Sequence, residues 1–301
     1  MRALLIGAVE STAVALRALA ASPDWDLAGL LTLPPELAAR HSDFVDLGPA
    51  ARQAGAALIR AADGNSPEAI EQVRALRPDI AFVIGWSQIC RPPLVAAAGG
   101  RMVGYHPAPL PRLRGRAVLP WTILLGEPIT AASLFWVDEG VDSGPIIGQR
   151  FFHVAPDETA TSLYARHMAA LDGLLGDVLP QIARGETPGT PQDERFATWA
   201  ARRTDRDGRI DWRKPAADVA RLIRAVSRPY PGAFSGDGDG RLRIFAAAAT
   251  AEGRRHAAMP GQVIAVTSTG FLVACGDGDA LACTDWHGPT PRLHQILENG
   301  A

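Results

Sequence analysis

Two short segments of the chain hold the residue types that proton-transfer chemistry needs. In the first, residues 104–116, His106 ends an apolar run, and a proline-rich loop follows that contains Arg112, Arg114 and Arg116. Because prolines fix backbone dihedrals, such a loop holds its side chains in place at a small cost in conformational entropy. The alternative is a structural role, with a histidine that ends a strand and arginines that face water.

The second segment, residues 137–144, contains Asp142 between two glycines, which let the backbone approach a ligand closely. Its alternative is an ordinary acidic β-turn. A histidine can take a proton from an attacking amine or hydrogen-bond a developing oxyanion, and a nearby carboxylate orients the imidazole. The chain has no Gly-x-Ser-x-Gly motif and no cysteine with an obvious activating partner. The two segments together therefore favour acyl transfer without a covalent nucleophile.

The elements that must position these residues follow from the alternation of short apolar runs and helical patterns. Strands are predicted at residues 3–7, 26–33, 56–60, 79–85, 102–106, 131–137 and 146–154, and helices at residues 11–20, at 66–76 and after Thr159. This rhythm predicts an α/β fold, a mostly parallel Rossmann-like sheet with helices on both faces. Ligands of such sheets bind beyond the carboxyl ends of the strands, which directs attention to Gly85 and His106.

The chain changes character after residue 190. A stretch rich in Gly, Thr and Pro predicts a linker at 191–204 between a catalytic domain, 1–190, and a smaller C-terminal domain, 205–301. The second domain is expected to be β-rich and barrel-like or sheet-like. Its predicted elements are a helix at 216–226 and strands at 241–246, 262–266, 271–275 and 280–284.

Composition excludes several functional classes. A chain of 301 residues, 47% hydrophobic and with a formal net charge of −2, buries a full core and has no global attraction for nucleic acid or anionic lipid. No apolar run reaches about 18 residues, so no membrane span is expected, and the apolar start is too short for a signal peptide. Cys90, Cys275 and Cys283 lack metal-ligand spacing and fit a reducing compartment, which predicts a cytoplasmic protein without a metal site.

Both segments match the motifs of a known enzyme family. The order His-x-x-x-Leu-Pro-x-x-Arg-Gly appears as His106, Leu110, Pro111, Arg114 and Gly115, and Asp-Ser-Gly appears at residues 142–144. Similar correspondence extends to Ile210-Asp211-Trp212 and Pro229-Tyr230-Pro231-Gly232-Ala233-Phe234. Over nearly its whole length the chain resembles the folate-dependent formyltransferases, whose members act on methionyl-tRNA, glycinamide ribonucleotide or amino sugar nucleotides.

This resemblance implies a formyl donor, 10-formyltetrahydrofolate, and roles for particular residues. His106 would act as general acid/base and oxyanion partner, and Asp142 would orient it and help to pass the proton. The pterin would contact two loops, whose residues are Gly85, Trp86, Ser87 and Gln88 in one and Val137, Asp138, Val141 and Asp142 in the other. For Trp86 and Gln88, packing and surface exposure are the alternative roles.

One position departs from the family. An asparagine normally stands two residues before the histidine and helps to hold the formyl oxygen, whereas this chain has Gly104. Losing such a donor costs about 2.7–4 kcal/mol in well-studied sites. Three explanations compete: substitution by Gln88, Ser87 or an ordered water, altered chemistry, or a weak or inactive homologue. We favour substitution, because His106, Asp142 and the proline-rich loop are all retained.

The acceptor is expected to be a small molecule with a primary amine, such as an amino sugar nucleotide or an amino-acid-derived metabolite. Residues 201–301 hold fourteen basic and eleven acidic residues, and this net charge of +3 is small for a duplex-binding surface, which disfavours tRNA. Arg112, Arg114 and Arg116 would meet a diphosphate or carboxylate of the acceptor, or Arg114 only braces its loop. A folate-binding homologue without transfer activity, a hydrolase of the formyl donor, and the oligomeric state stay open.

Overall fold

A seven-stranded sheet runs through the first two hundred residues of the computed structural model, which describes residues 1–238 and 241–298. Its strands are β1 (Arg2–Ile6), β2 (Asp26–Thr32), β3 (Ala57–Arg60), β4 (Ile80–Val83), β5 (Met102–His106), β7 (Ile129–Trp136) and β8 (Ile146–His153), in the order β3-β2-β1-β4-β5-β7-β8. Strands β3, β2, β1, β4 and β5 are parallel, and β7 and β8 are antiparallel to their neighbours. The predicted mostly parallel sheet is confirmed.

Helices cover both faces of this sheet, as predicted. The α-helices of the first two hundred residues are α1 (Glu10–Ala21), α2 (Gly48–Gln53), α3 (Pro67–Leu76), α4 (Pro92–Ala97), α5 (Val118–Leu125) and α6 (Ala160–Ala183). One core packs α1 and α6 against the sheet through Leu16, Leu19 and Leu171, and a second packs α3 and α4 through Val73 and Leu94. Because the central strands are buried on both faces, their sequences are continuous apolar runs.

Side-chain caps begin two of the predicted helices. The Ser66 hydroxyl accepts a hydrogen bond from the backbone N–H of Ala69 at 3.2 Å, and the Thr159 hydroxyl accepts one from Ser162 at 3.1 Å. Each cap satisfies one of the unpaired N–H groups of the first helical turn. The helices predicted at 66–76 and after Thr159 are therefore confirmed as α3 and α6.

The C-terminal β-rich region is a five-stranded antiparallel sheet with the order β10-β11-β14-β13-β12. Its elements are α7 (Ala216–Ala225), β10 (Ala233–Ser235), β11 (Leu242–Thr250), β12 (Val263–Thr267), β13 (Gly270–Ala274) and β14 (Ala280–His287). The β-rich character is confirmed, and among the described residues the sheet is open, with β10 and β12 as its edges, rather than a closed barrel. Strands β11 and β14 continue beyond their predicted ends at 246 and 284.

The chain divides into two compact units. The first comprises Met1–Val118, Ile129–His153 and Ala165–Ala200, and the second comprises Leu119–Pro128, Val154–Tyr164 and the residues from 201 onward. Most of the segment predicted as a linker thus belongs to the first unit, where a short strand β9 (Trp199–Ala200) pairs with β6 (Arg114–Gly115). The predicted boundaries at 190 and 205 stay predictions, and residues 299–301 lie outside the described part of the chain.

Other expectations concern absences. Over the described ranges, no helix combines the length and apolar character that crossing a membrane requires. The three cysteines are free thiols. No group of three or more His, Cys, Asp or Glu side chains among residues 1–238 and 241–298 is arranged to hold a metal ion.

Candidate active site

His106 lies at the carboxyl end of β5 and is almost completely buried, with 5% of its side chain exposed. Its Nε2 lies 2.7 Å from the carbonyl oxygen of Leu113, so the loop that follows the strand turns back over the ring. On the other side of the ring, Nδ1 lies 3.5 Å from Oδ2 of Asp142. The structure thus brings together the two residues that the sequence singled out for proton transfer.

Asp142 is the more accessible member of the pair, with 20% of its side chain exposed. Its Oδ2 also accepts a hydrogen bond from the backbone N–H of Gly115 at 2.8 Å, which fixes the carboxylate against the loop after His106. The backbone of Asp142 is left-handed, with φ of 53°, a conformation that aspartate tolerates better than most residues.

The two ring nitrogens of His106 have different partners. A carbonyl oxygen only accepts, so Nε2 carries a proton and donates it to Leu113. A neutral imidazole then presents an unprotonated Nδ1 to the Asp142 carboxylate. The His106–Asp142 pair can therefore take up one further proton between Nδ1 and Oδ2, on the side of the ring where the carboxylate is exposed.

Arg114 is buried, with 3% of its side chain exposed. Its guanidinium donates to Oε1 of Gln192 at 2.8 and 3.1 Å and to the Glu194 carboxylate at 2.7 and 3.0 Å. Gln192 in turn donates to the carbonyl oxygens of Asp142 and Gly144, both at 2.8 Å. This arrangement favours the bracing role that the sequence left open for Arg114, with Gln192 carrying the effect to Asp142.

Two polar residues of the antiparallel strands hold the loop after His106. Ser133 of β7 donates to the carbonyl oxygen of Ala108 at 2.6 Å, and Gln149 of β8 donates to Ser133 at 2.9 Å and to the carbonyl oxygen of Leu110 at 3.0 Å. Sequence reasoning missed Ser133, Gln149 and Gln192. A polar residue inside an otherwise apolar strand was the available signal for Ser133, and no local pattern marked the other two.

The predicted donor-binding loop begins at Gly85, whose φ of 73° favours glycine and where a Cβ would come within 2.3 Å of Val9. Gln88 braces the loop, because its Oε1 accepts from Gly64 and its Nε2 donates to the carbonyl oxygen of Ala62, both at 3.0 Å. Both polar atoms of this amide are thus engaged, which disfavours Gln88 as the substitute for the family's asparagine. Trp86 packs beside Gly64.

Both predicted donor loops keep backbone hydrogen-bond donors unused. Within the described residues, the N–H groups of Trp86, Ser87 and Gln88 make no hydrogen bond to the protein, and neither do those of Val141 and Asp142. Such groups can recognise the polar edge of a heterocyclic ligand. Val137 is half-buried and its N–H bonds to Met102, whereas Asp138 is exposed and its carboxylate accepts from Gly140 and Ser143.

Gly104 lies against the ring of Phe135, its direct cross-strand partner on β7. A Cβ at position 104 would lie 2.6 Å from Cζ of Phe135 and 2.8 Å from Cε1, closer than real carbon atoms approach. Phe135 itself is buried, with 4% exposed. The space next to the His106 strand that a side chain at 104 would need is therefore occupied by an aromatic ring.

The remaining predicted arginines lie at the surface. Arg116 donates to the carbonyl oxygen of Ser87 at 3.2 Å, which links the loop after β6 to the loop after β4, and Arg112 is exposed. The structure therefore separates the three predicted substrate-binding arginines into one buried brace and two exposed groups.

His167 of α6 is a buried histidine that the sequence analysis did not single out. It is fully buried, neither ring nitrogen has a hydrogen-bond partner, and its ring stands edge-on to Phe152 at 4.8 Å. Burial lowers the pKa of His167 to about 3, and the interactions with His106 and Arg166 act in the same direction. His167 is therefore neutral in the folded protein at any pH near neutrality.

This burial predicts a loss of stability in acid. As pH falls below the ordinary value of 6.5, the unfolded chain binds a proton at His167 that the folded chain excludes down to about pH 3. The free energy of unfolding should fall by about 2–3 kcal/mol between pH 7 and about pH 4.5 from this residue alone. Urea unfolding of His167→Leu should show a correspondingly weaker pH dependence, with exposed His153→Gln as the matched control. Equal pH profiles for His167→Leu and the parent would contradict the assignment.

The fold and the site define an α/β enzyme domain with a histidine–carboxylate pair at the end of its sheet, followed by an antiparallel β domain. The sequence model of the formyl transferase family matches residues 26–179, and that of the formyl transferase C-terminal domain matches residues 203–285. The first match covers more than half of the chain. The chain therefore belongs to the formyl transferase family of enzymes.

Solved structures with the same fold include HypX from Aquifex aeolicus in complex with tetrahydrofolic acid, at 19% identity and a TM-score of 0.67 over 96% of this chain and 44% of that one. An N-formyltransferase from Helicobacter canadensis, in complex with folinic acid and dTDP-3-aminofucose, is 16% identical, with a TM-score of 0.66 over 94% of this chain and 98% of that one. Methionyl-tRNA formyltransferase from Clostridium thermocellum is 21% identical, with a TM-score of 0.59 over 82% of this chain and 93% of that one. The chain thus spans less than half the length of HypX.

Proposed function

We propose that this protein transfers a formyl group from 10-formyltetrahydrofolate to the primary amine of a small acceptor, such as an amino sugar nucleotide or an amino-acid-derived metabolite. The observation that carries the proposal is the 3.5 Å approach of His106 Nδ1 to Asp142 Oδ2 at the carboxyl end of β5. Membership of the formyl transferase family supports the reaction class. Folates bound to two proteins of the same fold support the donor.

The two loops at residues 85–88 and 137–142 fit a pterin. Their unused backbone N–H groups provide donors for the polar edge of the ring, and the exposed Val141 side chain, 57% accessible, provides apolar contact. Gly85 keeps side-chain bulk away from the start of the first loop. The donor supplies an already activated formyl group, so the protein has to bind it, orient it and move one proton.

His106 and Asp142 account for that proton. The attacking amine forms a bond to the formyl carbon and loses a proton, which the Nδ1–Oδ2 pair takes up. The bond from the formyl carbon to the folate nitrogen breaks, and the same proton goes to that nitrogen. Asp142 stabilises the positive charge that the ring acquires in between, because an opposite charge at this distance favours the protonated imidazole. Arg114 and Gln192 keep Asp142 in place and touch neither reactant.

A second candidate is a folate-binding protein or formyl-donor hydrolase with altered activity. The contact between Gly104 and Phe135 favours it, because an apolar ring occupies the space where an oxyanion-stabilising amide would stand. The net charge of only +3 over residues 201–301 supports a small acceptor over tRNA. Methionyl-tRNA is included among the acceptors in the experiment below.

The experiment measures tetrahydrofolate release from 10-formyltetrahydrofolate, alone and with initiator methionyl-tRNA, amino sugar nucleotides or amine-bearing amino acids. We expect release that depends on one of the small amines and a formylated product detectable by mass spectrometry. Release with formate in the absence of any amine supports the hydrolase, and tight folate binding without release supports the binding protein. Dependence on methionyl-tRNA alone would contradict the small acceptor.

A further inference from the structure

Three residues from separate parts of the first unit meet beside the predicted donor loop. His41 follows a 3₁₀ helix (Pro35–Arg40) after β2, Ser87 lies in the loop after β4, and Arg116 follows β6. The His41 Nε2 lies 3.2 Å from the Ser87 hydroxyl, and the Arg116 guanidinium donates to the Ser87 carbonyl oxygen at 3.2 Å. Ser87 and Arg116 are exposed and His41 is half-buried, so solvent reaches this cluster.

The cluster has more positive charge than its neighbours neutralise. Within the described residues, neither Arg116 nor Arg40 forms an ion pair with a carboxylate, and the Arg116 guanidinium, with five N–H groups, donates only to Ser87. Burial lowers the pKa of His41, and Arg116 and Arg40 lower it further, while Asp43 opposes them. Two arginines act on His41 against one carboxylate, that of Asp43, and this local excess of positive charge favours a bound anion.

We propose that His41, Ser87 and Arg116 form a binding site for an oxyanion group, a phosphate or carboxylate carried by one of the two reactants. The Arg116 fork and the unused N–H of Ser87 supply donors, and the His41 imidazole supplies a further N–H when protonated. The identity of the natural ligand rests on the proposed function, because a folate tail carries carboxylates and a nucleotide acceptor carries phosphates. Binding of the oxyanion itself does not depend on formyl transfer.

The site has a defined pH dependence. A bound anion offsets the charges of Arg116 and Arg40 and so raises the pKa of His41 relative to the free protein. Affinity for the anion should therefore be highest at low pH, and it should fall as pH rises from the free-state to the bound-state pKa of His41. Asp43, Arg40 and Arg116 are the charged groups that act on His41.

The test uses sulfate, whose charge is constant over this range, and follows the His41 ring resonance by NMR, assigned with His41→Gln. We expect sulfate to raise the titration midpoint of His41 by about half a unit or more over sodium chloride of equal ionic strength. In the absence of sulfate, Arg116→Gln should raise the titration midpoint of His41, because a positive charge is removed. It should also weaken the affinity for sulfate about fivefold or more. Arg17→Gln removes one exposed arginine elsewhere and should behave like the parent.

A midpoint that sulfate moves no more than chloride does, or an unchanged sulfate effect in Arg116→Gln, would overturn the site. Competition distinguishes the sources. Displacement of sulfate by tetrahydrofolate but not by tetrahydropteroate, which lacks the glutamate tail, assigns the site to the donor. If sulfate stays bound in the presence of either tetrahydrofolate or tetrahydropteroate, the site is assigned to the acceptor. Folate binding without any specific sulfate effect refutes this inference alone, whereas sulfate binding without folate binding refutes the proposed donor.

Discussion

Replacing His106 with alanine is expected to lower kcat for formyl transfer by about 10²–10⁴-fold, the usual contribution of a positioned general acid/base. The substitution removes both Nε2, which holds the loop at Leu113, and Nδ1, which lies 3.5 Å from Asp142 Oδ2 and is proposed to share the transferred proton with it. The measurement is the steady-state rate of tetrahydrofolate release with the acceptor found in the amine panel. Folate affinity, measured separately by fluorescence, should change by less than about threefold, because the predicted donor contacts are backbone groups of other loops.

Two variants make this result specific. Asp142→Asn keeps the shape of the side chain and removes its charge, and it should also lower kcat, because the ring loses the group that favours its protonated form. His153→Ala removes an exposed histidine of β8 and should leave both kcat and stability unchanged. If His106→Ala retains more than about a tenth of the parent rate while folded, His106 is not the proton acceptor.

Gly104→Asn, which restores the side chain typical of the family, is expected to destabilise this protein rather than improve it. The new Cβ would lie 2.6 Å from the ring of Phe135, so strand or ring must move, at a cost of about 1–3 kcal/mol or more. Phe135→Ala alone should cost about 3–5 kcal/mol, because the ring is buried. Together the two changes should cost about 0.5–3 kcal/mol less than their sum, since the introduced amide side chain would use the space that the ring leaves. Urea unfolding of the four proteins measures this coupling.

The same pair of positions tests the chemistry. In the Phe135→Ala background, Gly104→Asn adds an amide donor two residues from His106, and kcat should rise about 10²-fold relative to Phe135→Ala alone. Gly104→Ala in that background is the matched control, since it adds the Cβ without the amide. No increase over that control would mean that another group of this chain already holds the developing oxyanion.

Much of this architecture could be predicted because it depends on local patterns. The strand and helix rhythm indicated the parallel sheet, Ser66 and Thr159 marked helix starts, and His106 ended a recognisable strand. The residue types of the two segments, and then the motif resemblance, paired His106 with Asp142. The rule that ligands bind beyond the carboxyl ends of parallel strands could not have paired these two residues. Strand β7 is antiparallel, and the loop after it begins beside Met102, near the start of β5.

The rest depends on contacts that no local pattern encodes. Phe135 covers Gly104 because of the register between β5 and β7, which is set by antiparallel pairing across about thirty residues of chain. Arg114 was predicted as a ligand contact or a loop brace, and its burial depends on Gln192 and Glu194, which lie 78 and 80 residues later. Arginine is usually exposed unless it finds such partners, so sequence alone could not distinguish the two roles.

Gln192 also determines where the catalytic unit can be cut. A fragment ending at residue 190 would retain His106 and Asp142, yet it would leave the Arg114 guanidinium buried without its partners and release the Asp142 backbone. Strand β6 would lose its pairing with β9 as well. A fragment that keeps these hydrogen bonds and the β6–β9 pairing must therefore extend at least to Ala200, where the last segment of the first unit ends.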